Sequence, residues 1–187
     1  MLAGQQAPVG PGVSTVLADM DFETYSAAGY TFNGEKYVGA AKNSRGLGLV
    51  GAVAYAEHPS TEVLSLAYDL KDGLGDRLWL PGMPPPADLL DHIKSGGLLE
   101  AHNSSFEYFI WKHVCEPRMG WGPLPLDQLR CSMAKAKAYS LPGKLETAAK
   151  AVNSPEQKDA GGANIMRKLS VPRNPTKGNP PLRWTPE

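Results

Sequence analysis

The strongest constraint on the fold of this chain is an alternation of acidic and apolar residues near its beginning. Residues 19–23 read Asp19-Met20-Asp21-Phe22-Glu23 and follow a short apolar run at residues 16–18. Successive side chains of a β-strand point to opposite faces of a sheet. The pattern therefore predicts a strand with Met20 and Phe22 in a core and the three acidic side chains together on the other face.

Three carboxylates on one face of a partly buried strand repel one another and lose hydration. A hard divalent cation such as Mg²⁺ relieves both costs, because it takes oxygen ligands. A strand face whose charges simply meet water explains the same alternation. The strand alone therefore predicts either a metal site or a solvated face.

Length and charge narrow the setting. The chain has 187 residues, and its 19 Lys and Arg balance its 19 Asp and Glu to a formal net charge of zero. The length favours one domain with a substantial core. A neutral chain has no overall attraction for nucleic acid or anionic membrane, so any contact with nucleic acid must come from a local arrangement.

Nothing in the sequence predicts export or a membrane span. The chain has no apolar run of about 18 residues, and its first residues lack the basic start and apolar core of a secretory signal. Cys115 and Cys131 are isolated and lack metal-ligand spacing. They are typical of a reduced cytoplasmic protein, although a single disulfide would also fit.

The order of local patterns predicts an α/β fold with a mixed β-sheet flanked by helices. Further strands are expected at residues 63–68, 77–80 and 98–101. Helices are expected at about 86–95, from 103 onward, and at 130–139, 144–152 and 164–169. The glycine-rich stretch 29–52 lacks a phosphate-binding fingerprint and is expected to be a loop or a loose hairpin.

Three regions follow from this outline. Residues 1–12 are expected to be a flexible lead, residues 13–170 the folded domain, and residues 171–187 an unanchored, proline-rich extended segment. The final Thr185-Pro186-Glu187 has the features of a helix start. We expect it to introduce a helix of a longer protein, the alternative being an ordinary proline-rich tail.

A second acidic element lies at a predicted strand-to-helix junction, Asn103-Ser104-Ser105-Phe106-Glu107. Asn103 and Glu107 are four residues apart and share a helix face. They could thus place an amide and a carboxylate over the acidic strand. Alternatively, Asn103 is only a helix N-cap and Glu107 a first-turn charge favoured by the helix dipole.

Together the two elements resemble a known pattern. Asp-x-Glu on a first strand, followed by Asn-x-x-[Phe/Tyr]-[Asp/Glu] at the start of a later helix, resembles the proofreading 3′-5′ exonucleases of the DEDD superfamily. Residues 55–64, 101–103, 141–145 and 157–159 are also similar to the exonuclease domain of phage-type family A DNA polymerases. The resemblance covers roughly residues 13–187.

The resemblance implies an RNase H-like fold and two-metal hydrolysis of the phosphodiester bond at the 3′ end of single-stranded DNA, with Mg²⁺ or Mn²⁺. Asp21 would bridge both ions, Glu23 would bind the ion that carries the attacking water, and Glu107 would serve the second ion. The 3′-terminal nucleotide would be held by Thr24, Asn103 and Phe106. The partner would be a downstream polymerase domain or a separate polymerase chain, in the host cytoplasm if the protein is phage-encoded.

The sequence departs from the family pattern in two places. Glu107 stands where most members have Asp. In addition, the family's third motif, a Tyr or His and a final Asp on a late helix, has no counterpart after Glu107. We therefore expect impaired activity. The alternatives are a non-catalytic module for single-strand binding or polymerase assembly, and an exonuclease that recruits its last ligand from another chain.

Overall fold

The computed structural model describes residues 16–38, 46–155, 160–174 and 176–177. The strands are β1 Leu17–Tyr25, β2 Thr31–Phe32, β3 Tyr37–Val38, β4 Glu62–Asp69, β5 Arg77–Trp79, β6 Leu98–Ala101 and β7 Leu129–Cys131. The α-helices are α1 Leu47–Glu57, α2 Ala87–Lys94, α3 Ser104–Ile110, α4 Glu116–Met119, α5 Ser132–Ala138, α6 Leu145–Ala151 and α7 Ala160–Leu169. A π-helical turn at Trp111–Cys115 joins α3 to α4, and a 3₁₀ turn at Leu126–Gln128 precedes β7.

Five strands form one mixed sheet in the order β5-β4-β1-β6-β7. Strand β4 runs antiparallel to β1 and β5, whereas β6 is parallel to β1 and β7 is parallel to β6. The expected α/β class, a mixed sheet flanked by helices in the RNase H-like manner, is confirmed. The acidic strand β1 is the central strand of this sheet.

The alternation of β1 appears in the structure as predicted. Ala18, Met20 and Phe22 are buried, while Asp19 and Asp21 are exposed. The buried face packs against aromatic residues of the helical layer; the Phe22 ring centroid lies 6.2 Å from that of Trp111. Because every second side chain of β1 is buried on the same face, the pairing register of the strand in the sheet is fixed.

The glycine-rich stretch contains the hairpin that was one of the two expectations and, in addition, the start of a helix. Residues 31–38 form the β2–β3 hairpin, and residues 47–57 form helix α1, which the sequence did not predict. Gly51 adopts φ 77° within α1 and interrupts its regular geometry. The helix buries Tyr55 and Ala56 at its end, so tertiary packing stabilises a segment whose glycines disfavour a helix.

Strand β7 was also missed, because the sequence predicted a helix from residue 130. Leu129–Cys131 instead pairs with β6, and the helix begins at Ser132. A three-residue strand is too short to show alternation, and only its partner strand defines it. The remaining predicted strands and helices are confirmed, with α7 longer than expected.

The first residues after α7 contact the domain, whereas most of the segment 171–187, which is expected to be unanchored, lies outside the described residues. The Ser26 amide donates to the Ser170 carbonyl at 3.2 Å, and Pro172 is buried. Both cysteines are free thiols. Across the described ranges no helix is long and apolar enough to cross a membrane. Residues 1–12 and the Thr185-Pro186-Glu187 signal lie outside the described residues.

Candidate active site

The pairing of β1 with β4 changes at the predicted site. Glu23 pairs with Ser65, but Thr24 pairs with Val63, so Leu64 is skipped. An extra residue in one strand bends the pair locally and turns the side chains beyond it. Thr24 follows this irregularity and is buried, while Glu23 is half-buried.

Asp19 at the start of β1 and the acidic residues on the two neighbouring strands form ion pairs with lysines. Lys71 Nζ lies 2.6 Å from Asp19 and 2.8 Å from Asp69, which is the partner of Asp19 on β4. On the other side, Lys135 Nζ lies 2.6 Å from Glu100 of β6. Because an ammonium group already faces it, Asp19 is a poor choice of metal ligand.

Glu107 lies in the first turn of α3 and is only 3% exposed. Its Oε2 atom is buried and has no hydrogen-bond partner among the described residues. The pKa of this carboxyl is raised to about 8, mainly by burial; a hydrogen bond from its own backbone amide lowers it, and the nearby Asp21 and Cys131 contribute smaller increases. Glu107 is therefore a first-turn acid, as the alternative expected, but a buried one, and it lies within electrostatic reach of Asp21.

Asn103 joins β6 to α3 in the left-handed conformation, with φ 71°. Its side chain makes no N-cap hydrogen bond, so the capping alternative is not realised; instead, Ser105 Oγ donates to Asn103 Oδ1 at 3.2 Å. Asn tolerates this backbone better than most residues. The turn directs the chain from β6 into the helix that carries Phe106 and Glu107.

A pocket of 340 Å³ adjoins these residues, and Glu23, Thr24 and Phe106 line it. The structure thus brings three predicted site residues together around one cavity. Tyr30 and Tyr55 also line the pocket, and sequence reasoning missed both. The signal available for Tyr55 was its place at the start of the stretch 55–64, which carries part of the family resemblance.

The fit of a metal ion to this site is partial. Among the described residues no group of three or more His, Cys, Asp and Glu side chains is arranged to hold a metal ion. However, Asp21 and Glu107 provide the oxygen donors that Mg²⁺ and Mn²⁺ prefer. A cation between them would also satisfy the buried Oε2 atom of Glu107. Asp21, Glu23 and Glu107 as metal ligands thus remain a prediction.

Comparison with known proteins finds sequence similarity to a DNA polymerase. A DNA polymerase of Bacillus phage SP02 is 36% identical over 131 residues, which cover 69% of this chain and 19% of the polymerase. The chain therefore spans about a fifth of the length of that relative. No protein-family model matches the chain. The similarity supports a DNA polymerase-related domain.

Proposed function

We propose that this chain is a polymerase-associated 3′-5′ exonuclease domain that hydrolyses the last phosphodiester bond of a single DNA strand. The main support is the buried Oε2 atom of Glu107, which lies within electrostatic reach of Asp21 and has no hydrogen-bond partner in the part of the chain that the structure describes. Phe106, the sequence neighbour of Glu107, lines one pocket together with Glu23. The similarity to a phage DNA polymerase supplies the DNA context.

Asp21, Glu23 and Glu107 would hold the divalent ions, which when bound supply Lewis-acid stabilisation and a water of lowered pKa. The protein's own side chains would provide the metal ligands and the contacts with the base. Glu107 must release its proton from the buried carboxyl group before it can ligate, because a pKa raised to about 8 favours the neutral form at lower pH. The Phe106 ring offers an apolar surface to the terminal base, whatever its identity.

A non-catalytic single-strand-binding module is the second candidate. It is favoured by the finding that the predicted carboxylates do not form a three-residue metal group in the described part of the chain. In that case the pocket would bind a strand end, and no hydrolysis would follow. The two candidates differ in whether metal binding requires Asp21 and Glu107.

Titration calorimetry with Mn²⁺ on the wild type, Asp21→Asn and Glu107→Gln tests the proposal. Glu116→Gln is the matched control, since Glu116 is exposed on α4. We expect Mn²⁺ binding in the wild type and the control, and its loss in both site variants. A parallel assay follows 5′-labelled single-stranded DNA for stepwise shortening from the 3′ end with Mn²⁺. Equal Mn²⁺ binding by all four proteins, without shortening of the DNA, would overturn the exonuclease proposal and favour the non-catalytic module.

A further inference from the structure

Tyr55 is a buried residue of helix α1 that contacts two of the predicted nucleotide-binding residues at once. Its hydroxyl shares a hydrogen bond of 3.0 Å with Thr24 Oγ1. Its ring centroid lies 5.8 Å from that of Phe106, with 47° between the planes. Tyr55 is 6% exposed and its ring forms part of the pocket wall. It therefore links β1 to α3 across the pocket.

The backbone of Tyr55 is itself fixed to the end of β1. Thr61 Oγ1 donates to the Tyr55 carbonyl at 2.5 Å and lies 2.8 Å from Ser26 Oγ. The Ala27 amide donates to Ser60 Oγ at 2.8 Å. These bonds join the chain just after α1 to the chain just after β1. The position of the Tyr55 ring is thus set independently of any ligand.

We propose that Tyr55 is a positioning residue that holds Thr24 and Phe106 in place for the terminal nucleoside of a 3′ end. This inference rests on the proposed function, because it takes the 340 Å³ pocket as the site of that nucleoside. A pocket of this size lies at the lower end of the range for small-molecule sites. Burial raises the pKa of Tyr55, so its hydroxyl stays neutral and can keep its hydrogen bond to Thr24.

Tyr55→Phe is the informative variant, because it keeps the ring against Phe106 and removes only the hydroxyl. Affinity is measured for a thymidine pentanucleotide and for the same oligonucleotide with an abasic 3′-terminal residue, first with Ca²⁺ and then with EDTA. Tyr108→Phe is the matched control, since Tyr108 lies on α3 outside the pocket lining. Thermal unfolding of each protein reports on the fold.

We expect the wild type and Tyr108→Phe to prefer the intact oligonucleotide, and Tyr55→Phe to lose about two- to tenfold of that preference, as for one lost hydrogen bond. The loss must affect the two oligonucleotides unequally, because a destabilised fold would weaken the binding of both equally. Unchanged preference in Tyr55→Phe overturns the role of Tyr55. If the wild type shows no preference for the intact oligonucleotide, the assignment of the pocket to the terminal nucleoside is overturned as well. The exonuclease proposal is tested separately, by Mn²⁺ binding and by strand shortening.

Discussion

Lys71 Nζ lies 2.6 Å from the Asp19 carboxylate, at the start of the strand that also carries Asp21. The same ammonium group contacts Asp69, and its pKa is raised by hydrogen bonds first to Asp19 and then to Asp69. The acidic face of β1 is therefore not uniform. One end of it has a protein cation, and the other end faces the buried Glu107.

This difference predicts that the two aspartates of β1 respond differently to substitution. Asp21→Asn should weaken Mn²⁺ binding by more than about tenfold, because mutations of groups that only orient metal ligands already cost about 10–100-fold. Asp19→Asn should leave Mn²⁺ affinity unchanged, since Lys71 occupies that carboxylate. Calorimetric titration of both variants measures the contrast. Equal loss of Mn²⁺ affinity in the two variants would mean that the ion displaces Lys71 from Asp19.

Glu107→Gln should remove a pH dependence of stability. The carboxyl has a pKa of about 8 in the folded chain, against an ordinary value of 4.5. Between these values the unfolded chain binds fewer protons, so the free energy of unfolding falls as pH rises. The free energy of unfolding of the variant should match that of the wild type below pH 4.5 and exceed it above pH 8 by up to about 5 kcal/mol, since each pKa unit corresponds to about 1.4 kcal/mol.

Urea unfolding at several pH values, with EDTA to remove metal ions, measures this effect. Glu116→Gln serves as the control, because Glu116 is exposed and should follow the wild type at every pH. Parallel stability curves for Glu107→Gln and the wild type would show that Glu107 is ionised in the folded chain.

Substitution of Asn103 can separate its backbone role from a role in nucleotide binding. Asn103 has φ 71°, a conformation that glycine adopts freely and alanine does not. Asn103→Ala should lose about 1 kcal/mol of stability, whereas Asn103→Gly should stay close to the wild type. If the Asn103 amide contacts the nucleotide, both variants should lose affinity for a 3′-hydroxyl oligonucleotide equally. Full affinity in Asn103→Gly would restrict Asn103 to its backbone role.

Strands and helices with strong local periodicity were predictable from the sequence. β1 and β6 show it best: the acidic alternation of β1 was enough to identify the strand, and β6 was placed at its observed bounds. Strand β7 and helix α1 depend on partners distant in sequence, so local patterns could not reveal them. β7 exists because Leu129 pairs with Leu99, and α1 is held by packing at Tyr55.

In the candidate site, too, some features were predictable from the local sequence and others depend on distant residues. The motif predicted that Glu23, Thr24 and Phe106 belong to one site, and the pocket brings them together. The hydrogen bond between Thr24 and Tyr55 joins residues 31 positions apart, and no periodicity encodes such a contact. The burial of Glu107 likewise depends on the whole fold, because a first-turn acid is usually solvent-exposed.

Arg118 should stabilise the connection between α1 and β4. Its guanidinium donates to the carbonyls of His58, Pro59 and Thr61 at 3.3, 3.2 and 2.9 Å. Arg118→Gln should lower stability by about 1 kcal/mol, and Arg118→Lys should recover little, because a single ammonium cannot span three carbonyls. Hydrogen exchange should accelerate at residues 58–61 in both variants. Full recovery in Arg118→Lys would mean that only the charge matters.

Asn174 should act as the clamp that holds the chain after α7 against the β2–β3 hairpin. Its side chain accepts from the Tyr37 amide at 2.6 Å and donates to the Tyr37 carbonyl at 2.9 Å, as a neighbouring strand would. Ser170 and Val171, a few residues earlier, form part of the pocket wall. Asn174→Ala removes both bonds and should release this segment without unfolding the sheet.

Trypsin cleavage after the exposed Arg173 reports on that release. We expect cleavage about five- to tenfold faster in Asn174→Ala, which corresponds to roughly 1 kcal/mol of local stability. The cleavage rate of Asn174→Asp should lie between those of Asn174→Ala and the wild type, because Asp keeps the acceptor oxygen and loses the donor. Thermal unfolding should change little, since the five-stranded sheet does not depend on this contact. Identical cleavage rates in all three proteins would show that the buried Pro172 and the Ser26–Ser170 bond hold the segment without Asn174.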